Sequence, residues 1–260
     1  MQPGQREPLD VARLRTSAAG FDVHVFDETP STNATLAAAA REAAAEWTVH
    51  TTDHQSAGRG RLDRTFTMPP LTGIAVSVLL RPVEVPATRW PWLPLVAGLA
   101  VVDTAAGVGV AAALKWPNDA LVDDRRKLSG ILVERVETPQ GPAAVLGIGL
   151  NVSLDREELP VETATSLLLE GATTTDRTEV LARLLGRVRS RVEQWRDAAR
   201  AEDLAGDYAA VCSTIGRRVR IERSDGSHVV GEATGVDPSG CLIVDGTAWS
   251  AGDVTHLRPA

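Results

Sequence analysis

Two extended segments in the middle of the chain, Lys127–Val136 and Ala143–Val152, are separated only by Glu137–Pro142, which contains Pro139-Gln140-Gly141-Pro142. A connection this short closes an antiparallel hairpin, whereas a parallel crossover needs a dozen or more residues. The pattern therefore predicts an α+β fold, a mixed and largely antiparallel sheet with helices, over a doubly wound parallel sheet. Gly107-Val108-Gly109-Val110-Ala111-Ala112 has the lettering of a dinucleotide fingerprint, but it follows a helical stretch and precedes a strand, the reverse of the context that gives that motif its mechanism. It reads as a helix C-cap and turn.

Around this hairpin the other elements follow from periodicity and punctuation. Residues 1–20 are polar, with Pro and Gly, and read as an N-terminal arm or short helix. Phe21–Phe26 alternates like a strand, and Ser31-Thr32-Asn33 supplies N-cap chemistry for an Ala-rich helix reaching about Ala45. Trp47–Thr51 and Gly73–Leu80 are predicted strands, Trp92–Ala106 an apolar helix and Ala113–Trp116 a short extended piece. Between Trp47–Thr51 and Gly73–Leu80, the segment Asp53–Pro70 is polar and aperiodic, a length that signals function or disorder. Asp176 with Glu179 forms a candidate capping box before the stripe Val180, Leu181, Leu184, Leu185, Val188, Val192 and Trp195.

After Ser213 the pattern changes to short β segments punctuated by Ser224-Asp225-Gly226, Pro238-Ser239-Gly240 and Asp245-Gly246, which are hairpin signals. A small SH3-like β-barrel over 213–260 fits, leaving 21–212 as the main domain behind the arm. The net charge of −7 argues against general attraction to nucleic acid or an anionic membrane, so an anionic ligand must meet a local cationic patch. Cys212 and Cys241 are too few for a disulfide scaffold. With no apolar run of membrane length and a polar start, the chain is expected to be soluble and cytoplasmic.

The strongest site signal is Gln55-Ser56-Ala57-Gly58-Arg59-Gly60-Arg61-Leu62-Asp63-Arg64. Its glycines let the backbone approach a ligand, and its interleaved arginines offer forked donors to phosphate or carboxylate. Both lysines of the chain, against twenty-five arginines, fall in two further polar stretches, Lys115-Trp116-Pro117-Asn118-Asp119 and Arg126-Lys127-Leu128-Ser129-Gly130. A lysine kept where arginine is the rule suits a need for a compact, mobile ammonium. Gly147-Ile148-Gly149-Leu150-Asn151 adds further positions without side chains, so the hairpin presents a glycine-lined floor with polar groups at its rim. A phosphate-loop motif and a nucleophile elbow are absent from the sequence, and His50, Asp53 and His54 lack a further metal ligand. Positioning and electrostatics must then carry any catalysis.

These segments resemble, in order, the motifs of the biotin protein ligase family: Ser31-Thr32-Asn33, Gly58-Arg59-Gly60-Arg61 with Gln55 before it, Lys115–Asp119, Lys127–Glu134 and Gly147–Asn151. The resemblance implies a class II synthetase-like catalytic domain that activates biotin with ATP and Mg²⁺ and passes it to a lysine of a biotin carboxyl carrier domain of acyl-CoA or pyruvate carboxylases. It further implies that Ser31, Thr32, Asn33, Gln55, Gly58, Arg59, Gly60, Arg61, Lys127, Gly130 and Gly147 hold biotin. Arg61, Arg64, Phe66, Lys115, Asn118, Lys127 and Asn151 face the nucleotide, and Lys127, Arg61 and Asp119 form the catalytic group. Phe66 stands where the family usually places a tryptophan against adenine. Two alternatives are a DNA-binding repressor, for which the thirty residues before Ser31 are short, and a lipoate ligase, which uses another acid. The expectation is a ligase without DNA or membrane binding, its assembly state open, a homodimer included.

Overall fold

The predicted hairpin forms the centre of the sheet. The computed structural model describes residues 6–61, 65–222, 226–250 and 252–257. Strands β1 (Asp22–Thr29), β2 (Thr48–Gln55), β3 (Gly73–Leu80), β4 (Ala113–Lys115), β5 (Asp119–Val122), β6 (Arg126–Thr138) and β7 (Gly141–Asn151) form one seven-stranded sheet in the order β1-β2-β3-β7-β6-β5-β4. Only β1 and β2 pair in parallel, because helix α2 lies between them in sequence and makes the crossover. The other neighbours are antiparallel. The sheet is thus mixed and largely antiparallel, with helices on both faces.

Helix α2 (Thr32–Arg41) covers one face, packing Leu36 and Ala40 on Leu79, Val136, Ala143 and Val145. Helices α3 (Leu93–Ala106) and α4 (Arg177–Arg196) cover the other and carry the larger core, which includes Leu99, Leu146, Leu184 and Trp195. Burying these side chains on both faces is the main source of stability, at roughly 25 cal/mol per Å² of apolar surface removed from water. Asp176 caps α4 by accepting from Thr178 N and Glu179 N at 2.9 and 3.1 Å. The return half of the predicted capping box does not form, since the Glu179 carboxylate turns to Arg183 at 2.7 Å.

Three elements differ from the sequence expectation. Helix α2 stops at Arg41, not near Ala45, because Ala43 turns to φ 70° and Ala44 N closes back on Ala39 O at 2.9 Å. Arg81 then donates to the carbonyls of Ala40 and Ala44 at the helix end. Strand β5 and helix α5 (Ala201–Val211) had no sequence signal: β5 is only four residues long, and α5 buries little beyond Leu204 and Tyr208. The N-terminal residues carry α1 (Val11–Ser17), which buries Leu14 within it and Leu9 and Ala18 on either side.

The last part of the chain is a five-stranded antiparallel sheet, β11-β10-β9-β8-β12, from β8 (Arg218–Glu222), β9 (His228–Val236), β10 (Leu242–Val244), β11 (Thr247–Trp249) and β12 (Asp253–His256). Asp245 and Gly246 both take positive φ, 47° and 77°, as a tight two-residue hairpin requires. The expected SH3-like barrel is present only as this open sheet: among the described residues β11 and β12 are its two edges and do not pair. Strands β10 and β11 have three residues each, too little ladder to curl the sheet shut. The predicted Ser224 and Asp225 turn positions lie outside the described residues. Trp116 and Trp92 join the two sheets, donating their indole N–H groups to Gly240 O and Pro238 O at 3.2 and 3.0 Å.

Candidate active site

The floor of the cleft is set by strand register. Residues directly opposite across antiparallel strands point to the same face, so Ala75, Gly149, Gly130, Asp119 and Lys115 form one row across β3, β7, β6, β5 and β4. Ser77, Gly147 and Leu132 form the next row. Both rows lie on the α2 side of the sheet, beyond the N-terminus of that helix. Small side chains along them leave a depression whose glycines are constrained by what stands above. A Cβ on Gly147 would lie 2.2 Å from Asn33 Oδ1, and one on Gly149 would lie 2.4 Å from the Phe66 ring.

The wall comes from the cap of α2. Ser31 is the N-cap, accepting from Ala34 N at 3.4 Å. Gln55, at the end of the parallel neighbour β2, accepts from Thr32 N at 3.0 Å, and Ser77 lies 2.8 Å from Thr32 Oγ1 and 2.6 Å from Asn33 Oδ1. Asn33 donates to Leu132 O and to Glu134 at 3.2 and 2.7 Å. This buried polar network fixes hydroxyl and amide groups at one end of the cleft, where an uncharged polar ring can be read by shape.

The Arg/Gly segment crosses over the floor. It leaves β2 with Ser56 N and Ala57 N bonded to Thr29 O and Pro30 O at 3.0 and 2.9 Å, and it folds back where Phe66 N meets Gly58 O at 2.9 Å. Gly58 is required there, since a Cβ would lie 2.2 Å from Phe66 O. Arg59 reaches Glu134 at 3.2 Å, and Arg61 donates to Asn118 Oδ1 at 3.3 Å. Asn118 is itself pinned to β6 by two hydrogen bonds with the Ile131 backbone, at 2.9 and 3.0 Å.

At the far rim Lys127 Nζ lies 2.7 Å from Asp119 Oδ1, a charge contact whose angles fall outside hydrogen-bond geometry. The pair separates the cleft from a second recess lined by Lys115, Asp124, Arg125, Arg217 and His256. His256 is pushed down to about 4, first by burial and then by the cations Lys115 and Arg217, although Asp124 pulls the other way. His256 also sits 2.9 Å from Thr214 Oγ1, which accepts from Trp116 N at 3.0 Å. The C-terminal sheet thereby supports the Lys115–Asp119 turn.

The structure brings Ser31, Thr32, Asn33, Gln55, Arg59, Gly60, Arg61, Phe66, Asn118, Asp119, Lys127, Gly130 and Gly147 to one cleft. Gly58 lies behind it, on the outer side of the Arg/Gly segment. Phe66 rests its ring on Gly149 with Gly130 nearby. Lys115 faces the second recess, and Asn151 is buried beneath Lys127, donating its amide to Thr165 O and Lys127 O at 2.8 and 3.4 Å. Arg64 lies outside the described residues. Sequence reasoning missed Ser77, Ala75 and Glu134; a lone Ser in the otherwise apolar run Gly73–Leu80 was the available signal for the first. His50, Asp53 and His54 separate to different partners, Thr35 at 3.0 Å, Arg177 at 2.6 Å and Glu28 at 3.2 Å.

Such a cleft, with an uncharged polar end, a side-chain-free floor and two cations at the other end, suits a ligand with a polar head and an anionic tail beside a phosphate. Residues 25–151 match the biotin/lipoate A/B protein ligase family, and residues 214–257 match the biotin protein ligase C-terminal domain. The chain is 44% identical over 267 residues to the biotin–[acetyl-CoA-carboxylase] ligase of Mycobacterium tuberculosis, covering 97% of each. It is 31% identical to the bifunctional ligase/repressor BirA of Bacillus spizizenii over 94% of this chain and 76% of that protein. A biotin protein ligase from Aquifex aeolicus, solved in complex with biotin and ATP, superposes with a TM-score of 0.76 at 27% identity, covering 92% of this chain and 99% of that one. The chain belongs to the biotin protein ligase family.

Proposed function

We propose that this cleft activates biotin with ATP to biotinoyl-5′-AMP and then transfers the biotinoyl group to a lysine of a biotin carboxyl carrier domain. The observation that carries the reading is the continuous row Ala75–Gly149–Gly130, which leads from the hydroxyl and amide wall to Lys127 and Asp119 beneath the Arg/Gly segment. The similarity to the Mycobacterium tuberculosis ligase, named for biotin and acetyl-CoA carboxylase, supports biotin over lipoate as the acid.

In this reading the wall at Ser31, Thr32, Asn33 and Gln55 takes the ureido ring, and the acyl chain lies along the glycine floor. The carboxylate reaches Arg61 and Lys127. It must attack the α-phosphate of a polyanion, with pyrophosphate leaving, so repulsion between like charges is the first barrier. A cation about 4 Å away is worth roughly 4 kcal/mol at an effective dielectric near 20, and about 1.4 kcal/mol is tenfold in rate. Lys127 and Arg61 can therefore each contribute about two to three orders of magnitude. In the second step the acceptor lysine must lose a proton before its nitrogen attacks the carbonyl and AMP leaves. Asp119, next to Gly130 in the floor row, is the carboxylate placed to receive it.

Phe66, Asn118, Asn151, Lys115 and Arg64 are assigned to the nucleotide side. Among the described residues, three metal-ligating side chains do not converge anywhere. That donor set fits a Mg²⁺ carried on the nucleotide phosphates, which needs at most one or two protein carboxylates, and the ion would supply charge neutralisation there. We further assign the C-terminal sheet to the SH3-like class and the protein to the cytoplasm, and leave room for a homodimer. The reading is tested by biotin-dependent exchange of labelled pyrophosphate into ATP. Exchange that requires biotin and is not supported by lipoate is expected; exchange with lipoate alone would replace the substrate.

A further inference from the structure

Glu134 closes the Lys127–Glu134 stretch and has no part in the chemistry above. On β6 it alternates onto the cleft face between Leu132, which lines the floor, and Val136, which is buried under α2. A carboxylate in a row where the neighbours bury apolar surface loses hydration and needs partners. It has two. Asn33 Nδ2 donates to Oε2 at 2.7 Å, and the Arg59 guanidinium lies 3.2 and 3.3 Å from the two oxygens. One belongs to the wall, the other to the segment that crosses the floor.

These contacts converge on the parts of the cleft that must enclose a reactive acyl phosphate. Asn33 stands over Gly147 and is held on its other side by Ser77. The Arg/Gly segment is fixed at its start by Thr29 O and Pro30 O, and beyond that Arg59 with Glu134 and Arg61 with Asn118 draw it toward the sheet. We propose that Glu134 is a positioning residue: its carboxylate holds Arg59 and Asn33 together, so that the segment Ser56–Arg61 stays against the wall and retains the acyl adenylate until an acceptor lysine arrives. This rests on the ligase reading. The side chain touches neither reacting atom; it acts through the two groups it joins.

The test uses the full-length protein and Glu134→Gln, which keeps the shape and an acceptor for Asn33 but removes the charge that attracts Arg59. Release of biotinoyl-5′-AMP from the preloaded enzyme is followed together with labelling of serum albumin, a protein without a carrier domain. Because the Arg59–Glu134 pair is partly exposed, the variant should release adenylate about two- to fivefold faster, with a matching rise in albumin labelling. Raising the salt concentration should speed release from the wild type more than from the variant, in which only the Arg61 and Lys127 contacts remain to be screened. Arg59→Gln carries the same expectation from the other partner if Glu134→Gln does not fold. Release at the wild-type rate in Glu134→Gln, or a salt response equal in variant and wild type, overturns the proposal. A wild type that forms no adenylate at all would instead refute the ligase reading.

Discussion

Gly147→Ala puts the floor of the cleft to a quantitative test. The added Cβ would lie 2.2 Å from Asn33 Oδ1, 2.9 Å from its Cγ and 3.0 Å from its Nδ2, so the amide must leave its place. Asn33 is 5% exposed, and its amide is held by Ser77, Leu132 O and Glu134. Losing two such hydrogen bonds costs about 1 kcal/mol each, and overpacking a dense interior adds about 1–3 kcal/mol. We expect a loss of about 3–5 kcal/mol, read as a lower urea midpoint at unchanged slope. Biotin affinity should fall at least tenfold in calorimetric titration, because the proposed seat of the ureido ring is displaced. Gly186→Ala is the control: it lies inside α4 with nothing within 4 Å of the new Cβ, and should stabilise by about 0.5–1 kcal/mol. A Gly147→Ala protein with wild-type midpoint and affinity would refute the floor geometry.

Three further predictions concern the charges. Lys127→Ala should lower adenylate formation by about two to three orders of magnitude at an unchanged melting temperature, since its ion pair with Asp119 is partly exposed; wild-type pyrophosphate release would remove Lys127 from the reaction. Arg177 donates to Asp53 at 2.6 Å and to Glu7 O at 2.7 Å with its side chain 4% exposed. Arg177→Ala strands that carboxylate and should cost about 3–5 kcal/mol in denaturant melts, whereas a double change to Arg177→Met with Asp53→Asn should recover part of it. His50 is held down to about 4, first by burial and then by His24, although Asp22 pulls the other way. The unfolded chain takes up this proton near pH 6.5 and the native protein only near 4, so the stability His50 contributes is complete above about 6.5 and is lost as pH falls toward 4. His50→Asn should flatten the melting temperature across that window; an unchanged profile would locate the acid sensitivity elsewhere.

Much of this architecture was legible because its signals are local. The hairpin followed from the six residues of Glu137–Pro142, the start of α2 from Ser31, and the Asp245-Gly246 turn from its dipeptide. The floor was half legible: glycines at 130, 147 and 149 announced missing side chains, but their alignment with Ala75 and Ser77 depends on a register with β3, a strand seventy residues away. Glu134 was hidden for the same reason, since both its partners, Asn33 and Arg59, come from distant parts of the chain. Asn151 shows the opposite case. Its place at the end of the glycine motif suggested a polar group at the rim of the floor, whereas the structure buries its amide against the backbone of residues 127 and 165. Helix α5 stayed hidden because its buried stripe is little more than Leu204 and Tyr208.

In the proposed reaction one cleft brings biotin and ATP together and hands the product to a carrier lysine. Its most direct test is the intact mass of a purified biotin carboxyl carrier domain after incubation with the protein, biotin, ATP and Mg²⁺. A gain of one biotinoyl group, absent when the acceptor lysine of the carrier is changed to Arg, is the predicted result. A carrier of unchanged mass after ATP has been consumed would contradict it.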